Sequence, residues 1–165
     1  MIELDARLTD RIRIAETPGP VRTLAGILAH SGDSWFWLAG LLFVWWLGDS
    51  YWKRLALIMI ISILITAGVV FIIKFAVKRS RPEGEWGKFY RATDPHSFPS
   101  GHAVRALMLA VIMLGLGPLW LGLLMLIWAP LVALARVAMG LHYLSDALAG
   151  ILIGGVIGIA VLLVV

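Results

Sequence analysis

Residues 106–135 read ALMLAVIMLGLGPLWLGLLMLIWAPLVALA, thirty positions without a charge. As one helix this run would be about 45 Å long, whereas a single bilayer crossing needs only about 20 residues. Gly115-Leu116-Gly117-Pro118 in its middle is a helix breaker and turn signal. The run therefore divides into a tight helical hairpin over 101–116 and 119–138.

The rest of the chain agrees with a lipid environment. It has 165 residues, 61% apolar and only 15% charged, with a mean hydropathy of +0.92. A soluble domain carries roughly 45–50% apolar and about 25% charged residues. Asp33 to Asp49 gives a short first span, with Trp35, Trp37, Trp45 and Trp46 near its ends as an aromatic belt would place them. Leu55 to Ile73 is a clean second span, and Ala147 to Val165 is the last. Within the last, Gly150, Gly154 and Gly158 repeat every four residues, the small-residue stripe that lets membrane helices approach closely. The expected fold is an all-α integral membrane protein of about five transmembrane helices, a single domain over 1–165.

The N-terminus does not read as a secretory signal, since no apolar core follows a basic start. Leu4, Leu8, Ile12 and Ala15 instead form one helical stripe among charged residues. This predicts an amphipathic helix in the membrane interface, within a segment 1–32. A surface helix packed on the body is the alternative. Cysteine is absent, which excludes disulfides, thiolate metal sites and a cysteine nucleophile.

Alternating spans bring three segments to one face: 1–33, 74–101 and 136–146. Only Lys53 and Arg54 of the 14 Lys and Arg residues fall on the other face. Many of these cations lie at helix ends beside apolar spans, which argues against a nucleic-acid partner and for lipids or a phosphate-bearing substrate. Ionisable groups at membrane depth are costly and mark function. They gather in three clusters: Lys74 to Pro82, Pro99-Ser100-Gly101-His102, and Arg136 to Asp146.

Each cluster suits an anion. Lys74 and Arg81 can aim a point charge and a planar fork of donors at one phosphate, and Arg136 adds another. Ser100 reads as a helix cap, and Gly101 lets an anion approach free backbone N–H groups. His142 and Asp146, four apart, would share one helical face, where the carboxylate can fix and polarise the imidazole. A helix end is expected between Ala138 and Leu141, at Gly140. The two histidines in this cradle could attack phosphorus and protonate a departing oxygen. No metal or other cofactor is expected, because no carboxylate cluster is present to hold Mg²⁺.

Lys74 with Arg81-Pro82, then Pro99-Ser100-Gly101-His102, then Arg136, His142 and Asp146 resemble, in order and spacing, the motifs of the type 2 phosphatidic acid phosphatase family, related to the vanadium-dependent haloperoxidases. The resemblance implies a metal-independent lipid phosphatase acting through a phosphohistidine. It implies His142 as nucleophile, Asp146 as its partner and His102 as general acid. Lys74, Arg81, Ser100, Gly101 and Arg136 would bind the phosphate. Implied substrates are polyprenyl diphosphate, phosphatidylglycerophosphate, phosphatidic acid or a lipid A type phosphate. The family's usual Ser before the third-motif Arg is Ala135 here.

Two rivals stand beside this reading: a lipid phosphotransferase using the same site, and a non-catalytic phospholipid-binding membrane protein. Segment 78–99, with Trp86, Phe89 and Tyr90, is a long active-site loop that could serve as a lid. Lys88 and Arg91 read as charges attracted to anionic lipid, and Lys78 and Arg79 can be read the same way. Arg105 either flanks the site or snorkels. His30 has no partner within sequence reach and reads as a packing residue, and His96 as an exposed loop residue. The expected location is a bacterial or archaeal plasma membrane with the site facing outward, although the Lys and Arg excess favours the cytoplasm.

Overall fold

The computed structural model describes residues 2–84, 86 and 92–165. Among the described residues the main helices are α1 (Ile2–Ile12), α2 (Pro20–Ser31), α3 (Ser34–Leu47), α4 (Ser50–Val77), α5 (Gly101–Leu116), α6 (Leu119–Ala138) and α7 (Leu144–Val164). The protein is an all-α membrane protein. Helices α4, α6 and α7 are each long and apolar enough to cross a membrane. The pair α2 and α3, bent by 57° at its break, passes the same test as one broken span. Helix α5 has 16 residues and is shorter than a full crossing.

The hairpin forms where the glycine–proline turn directs it. Helix α5 closes on Gly117, whose N–H donates to the Met113 carbonyl, and α6 restarts after Pro118. The core lies between α3, α4, α5 and α6, around Met59, Met108, Leu109, Ile112 and Val132. Outward-facing Trp46, Ile72, Ile127 and Leu152 remain exposed, as they should where lipid is the solvent. Helix α5 is the most enclosed, buried from Ala103 to Ala106 and again from Met108 to Ala110.

The N-terminus adds two details to the expected amphipathic helix. The segment 1–32 holds two helices, because Pro18-Gly19-Pro20 breaks the chain and Pro20 restarts it at the first turn of α2. The apolar stripe also divides: Leu4 and Leu8 are exposed, whereas Ile12 at the end of α1 packs against the body and Ala15 beyond it is buried. Two polar residues of α1 face inward, while Glu3, Arg7, Asp10 and Arg11 stay exposed. Thr9 is buried, and Asp5 accepts hydrogen bonds from the start of α7.

Candidate active site

Lys74 lies in the last turn of α4, whose end is set by Lys78 in the left-handed region at φ 52°. Gly101 and His102 open α5, and Arg136 lies in the last turn of α6. The chain then turns through Met139 and Gly140, at φ +66°, before His142. Three helix ends and the turn before α7 thus converge on one cavity of about 240 Å³, lined by Lys74, Arg81, Gly101, His102, Arg136 and His142. Apolar Ala67, Val70 and Phe71 of α4 form another wall. Lys74, Arg81, Arg136 and His142 are all buried there.

His142 is held by backbone. Its Nδ1 lies 2.8 Å from the Ser97 carbonyl, an acceptor, so Nδ1 carries the proton. Its Nε2 lies 3.2 Å from Arg81 Nη1, a donor, which leaves Nε2 with the lone pair. Both contacts select the same tautomer. Burial is the largest influence on this imidazole; with Arg81 and Arg136 nearby it is pushed down to about 3 against partial opposition from Asp146. The group is therefore neutral at ordinary pH.

Asp146 differs from expectation. Helix α7 begins at Leu144, so His142 precedes it and the shared helical face does not form. Asp146 Oδ2 is 3.8 Å from His142 Nδ1, beyond hydrogen-bond reach. That oxygen accepts the Tyr143 N–H at 2.9 Å, and Oδ1 accepts Arg79 Nη1 at 2.7 Å. Ser100 occupies the N-cap position of α5 but makes no capping bond; its Oγ is buried without a partner, while its N–H donates to the Asp146 carbonyl at 3.0 Å. Ala135 packs with Ala25, Ala29, Met139 and Leu141 and helps to seat α2.

Four residues enter that the motif reading left aside. Asp94 accepts from Lys74 Nζ and, at 2.7 Å, from Arg81 Nη2, and it lines the cavity. Burial alone would raise its carboxyl, but Lys74 and Arg81 hold it below the usual carboxylate range. Arg79 donates to Asp5 and Asp146 and lies 4.0 Å over the Tyr143 ring, so it is committed inside the fold rather than to lipid. Arg105 donates twice to the Gly32 carbonyl, at 3.0 and 2.7 Å, and does not snorkel. His30 is not a lone packing residue: its Nδ1 is 3.2 Å from Asp33 Oδ2. These contacts span 13 to 74 residues in sequence, apart from His30–Asp33, and only that short one had a sequence signal. His96 meets the Phe75 ring edge-on. Phe89, Tyr90, Lys88 and Arg91 lie outside the described residues. Among the described residues no group of three His, Cys, Asp or Glu side chains is arranged to hold a metal ion.

Comparison with known proteins bears on this arrangement. Over 106 residues the chain is 32% identical to an undecaprenyl-diphosphatase of Sulfolobus acidocaldarius, covering 62% of this chain and 51% of that one. The chain thus spans about half the length of that relative. Its fold is similar to the crystal structure of a phosphatidylglycerolphosphate phosphatase from Bacillus subtilis, with a TM-score of 0.75, 21% identity, 96% of this chain and 83% of the other. It is equally similar to LpxE of Aquifex aeolicus, with a TM-score of 0.75, 23% identity, 96% of this chain and 94% of the other. The PAP2 superfamily model matches residues 54–165, a stretch that holds Lys74, Arg81, His102, Arg136 and His142. With that match over two thirds of its length, the chain belongs to the PAP2 superfamily.

Proposed function

We propose that the protein hydrolyses a lipid phosphate or diphosphate monoester through a phosphohistidine. The observation that carries this reading is His142, whose Nε2 faces Arg81 with Nδ1 tied to the Ser97 carbonyl. That nitrogen is unprotonated, oriented and adjacent to cations that would gather a phosphate around it. Lys74, Arg81, Arg136 and the backbone at Ser100–Gly101 bind the phosphoryl oxygens and stabilise the charge that develops on them. His102 protonates the leaving oxygen. Asp146 acts on His142 indirectly, by fixing Tyr143 and Arg79 beside it.

The tail extends along the apolar wall of α4 at Ala67, Val70 and Phe71. Within segment 78–99, Arg81, Asp94 and the Ser97 carbonyl contribute to the site. Polyprenyl diphosphate is the first substrate to try, because a relative bears the name undecaprenyl-diphosphatase. A phosphatidylglycerophosphate is the second, after the fold neighbour.

The test is phosphate release in detergent, with EDTA present, from a panel of lipid phosphates and diphosphates. The unsubstituted protein should release phosphate, and His142→Ala should abolish release while still binding lipid. No release from any member, by protein that elutes as a folded species, would refute hydrolysis. Release that required an added lipid acceptor would replace it with phosphotransfer.

A further inference from the structure

The turn between α2 and α3 is tied unusually firmly to the first turn of α5. Asp33 is the N-cap residue of α3, a position where the carboxylate ordinarily accepts a backbone N–H of its own helix. Here it makes no such bond. Its Oδ1 instead lies 2.6 Å from His102 Nε2, and Oδ2 lies 3.2 Å from His30 Nδ1. Arg105, one turn along α5 from His102, fixes the adjoining Gly32 carbonyl with two hydrogen bonds. A Cβ at Gly32 would meet His102 Cδ2 at 3.3 Å and Val132 Cγ1 at 3.0 Å, so the bare backbone allows this approach. Trp128 Nε1 donates to Ser31 Oγ at 2.8 Å and ties the same turn to α6.

We propose that Asp33, backed by His30, is the positioning residue of the His102 general acid. The inference rests on the phosphatase reading and extends it to a residue outside the three motifs. An imidazole donating Nε2–H to a carboxylate has Nδ1 as its working nitrogen, and His102 lines the cavity. The charged form of His102 faces Arg105 on its own helix and Arg136 from α6. Asp33 is the anion that balances them, and His30 is the remaining titratable group at the turn.

The proton inventory closes. His142 Nε2 attacks phosphorus, the bond from phosphorus to the lipid oxygen breaks, and that oxygen takes the Nδ1 proton of His102. His102 is then neutral, with its remaining proton on Nε2 beside Asp33. Water next attacks the phosphohistidine, the P–N bond breaks, and the proton lost by water returns to His102 Nδ1. Asp33 holds the correct tautomer in both steps and is never itself protonated.

The experiment compares two phosphate monoesters in detergent: a lipid alkyl phosphate, whose alkoxide must be protonated to leave, and a lipophilic nitrophenyl phosphate, whose leaving group needs no proton. General acid catalysis contributes about 10²–10⁴-fold. Asp33→Asn keeps the shape of the side chain and should lower the single-turnover rate of phosphohistidine formation, the step in which the two esters differ, about 100-fold on the alkyl ester with KM unchanged, and less than about 5-fold on the aryl ester. The alkaline limb of kcat on the alkyl ester should move to lower pH, because the imidazolium loses its counter-charge. Asp33→Glu should recover part of the rate, and His30→Gln should show the same substrate pattern at reduced size. His142→Ala should abolish turnover of both esters. Equal losses on both esters from Asp33→Asn, or a loss confined to KM, would overturn the role of Asp33 and leave the phosphatase reading standing. An unsubstituted protein inactive on both would refute that reading and this inference with it.

Discussion

The cations proposed to hold phosphate already serve a carboxylate of the same chain. Asp94 takes donors from both Lys74 and Arg81, so a substrate phosphate entering between them competes with an internal anion. Charge-assisted bonds of this kind are stronger than neutral ones, and removing the competitor's charge should favour the substrate. Asp94→Asn is therefore expected to lower KM, and the concentration of orthovanadate giving half-inhibition, about 3–10-fold, with kcat changed little. A raised KM in the same titration would mean that Asp94 orients the cations more than it competes for them. The protonation of His142 gives a second prediction at this scale. A free histidine titrates near pH 6.5, but burial holds this imidazole down to about 3. A depressed value keeps the nucleophile neutral until the pH falls far below 6.5. The acid limb of kcat/KM should accordingly lie below about pH 5; a limb centred near 6.5 that disappears on substituting His142 would contradict it.

Two elements are positioned by features that differ in how plainly the sequence displays them. The stripe Gly150, Gly154 and Gly158 is visible in the sequence, but the surface it meets is not. A Cβ on Gly154 would lie 2.2 Å from the Val104 carbonyl oxygen, and one on Gly150 2.8 Å from the Ser100 oxygen, so α7 packs directly on the backbone of α5. That seam sets the first turn of α5, with Ser100 to His102, against the start of α7. Gly154→Ala should cost about 1–3 kcal/mol through overpacking against backbone that cannot move aside, read as a lower Tm in detergent. Gly155→Ala, whose Cβ would meet Leu107 at an ordinary 3.4 Å, should leave Tm almost unchanged. The hairpin of α5 and α6 was legible because glycine and proline interrupt a charge-free run. The cap of α7 was not, because it comes from α1. Thr9 Oγ1 accepts the Leu144 N–H at 3.1 Å, and Asp5 Oδ1 accepts that of Ser145 at 3.0 Å, while Arg79 also holds Asp5. An amphipathic pattern in residues 2–16 reveals the helix, but not that Asp5 and Thr9 meet a helix end more than 130 residues away. Asp5→Ala would strand the Ser145 N–H and Arg79 Nη2, each at about 1–3 kcal/mol where buried. A loss of both Tm and turnover is expected; unchanged Tm would show that α1 rests on the surface without capping anything.

At the scale of the whole molecule, the same helix directions that assemble the cavity separate two ends of the bundle. One end holds Lys74, Arg81, His102, Arg136 and His142. At the other, Tyr51 Oη donates to the Leu116 carbonyl at 2.7 Å, and Arg54 Nη2 donates to the Val165 oxygen at 3.2 Å. The sequence supplied this division, because span polarity follows from counting apolar runs, yet it left two arguments about sidedness in conflict. Twelve of 14 cations fall on the site's side in the sequence pattern, which favours the cytoplasm by the positive-inside tendency. The structure shows how many of them are built into the fold. Lys74 and Arg81 meet Asp94, Arg79 meets Asp5 and Asp146, Arg105 meets the Gly32 carbonyl, and Arg13 meets Glu16. Cations held for such reasons weaken the charge count as evidence of orientation, since site and cap would need them on either side of the membrane. We propose on this basis that the site faces outward. Paired fusions after Val165 decide the matter: a green fluorescent reporter that matures only in the cytoplasm, and an alkaline phosphatase that is active only outside. Fluorescence without phosphatase activity is the expected result, because Val165 and the site lie at opposite ends. The reverse pattern would place the site in the cytoplasm, and the lipid phosphate it acts on would then have to be one presented on the inner leaflet.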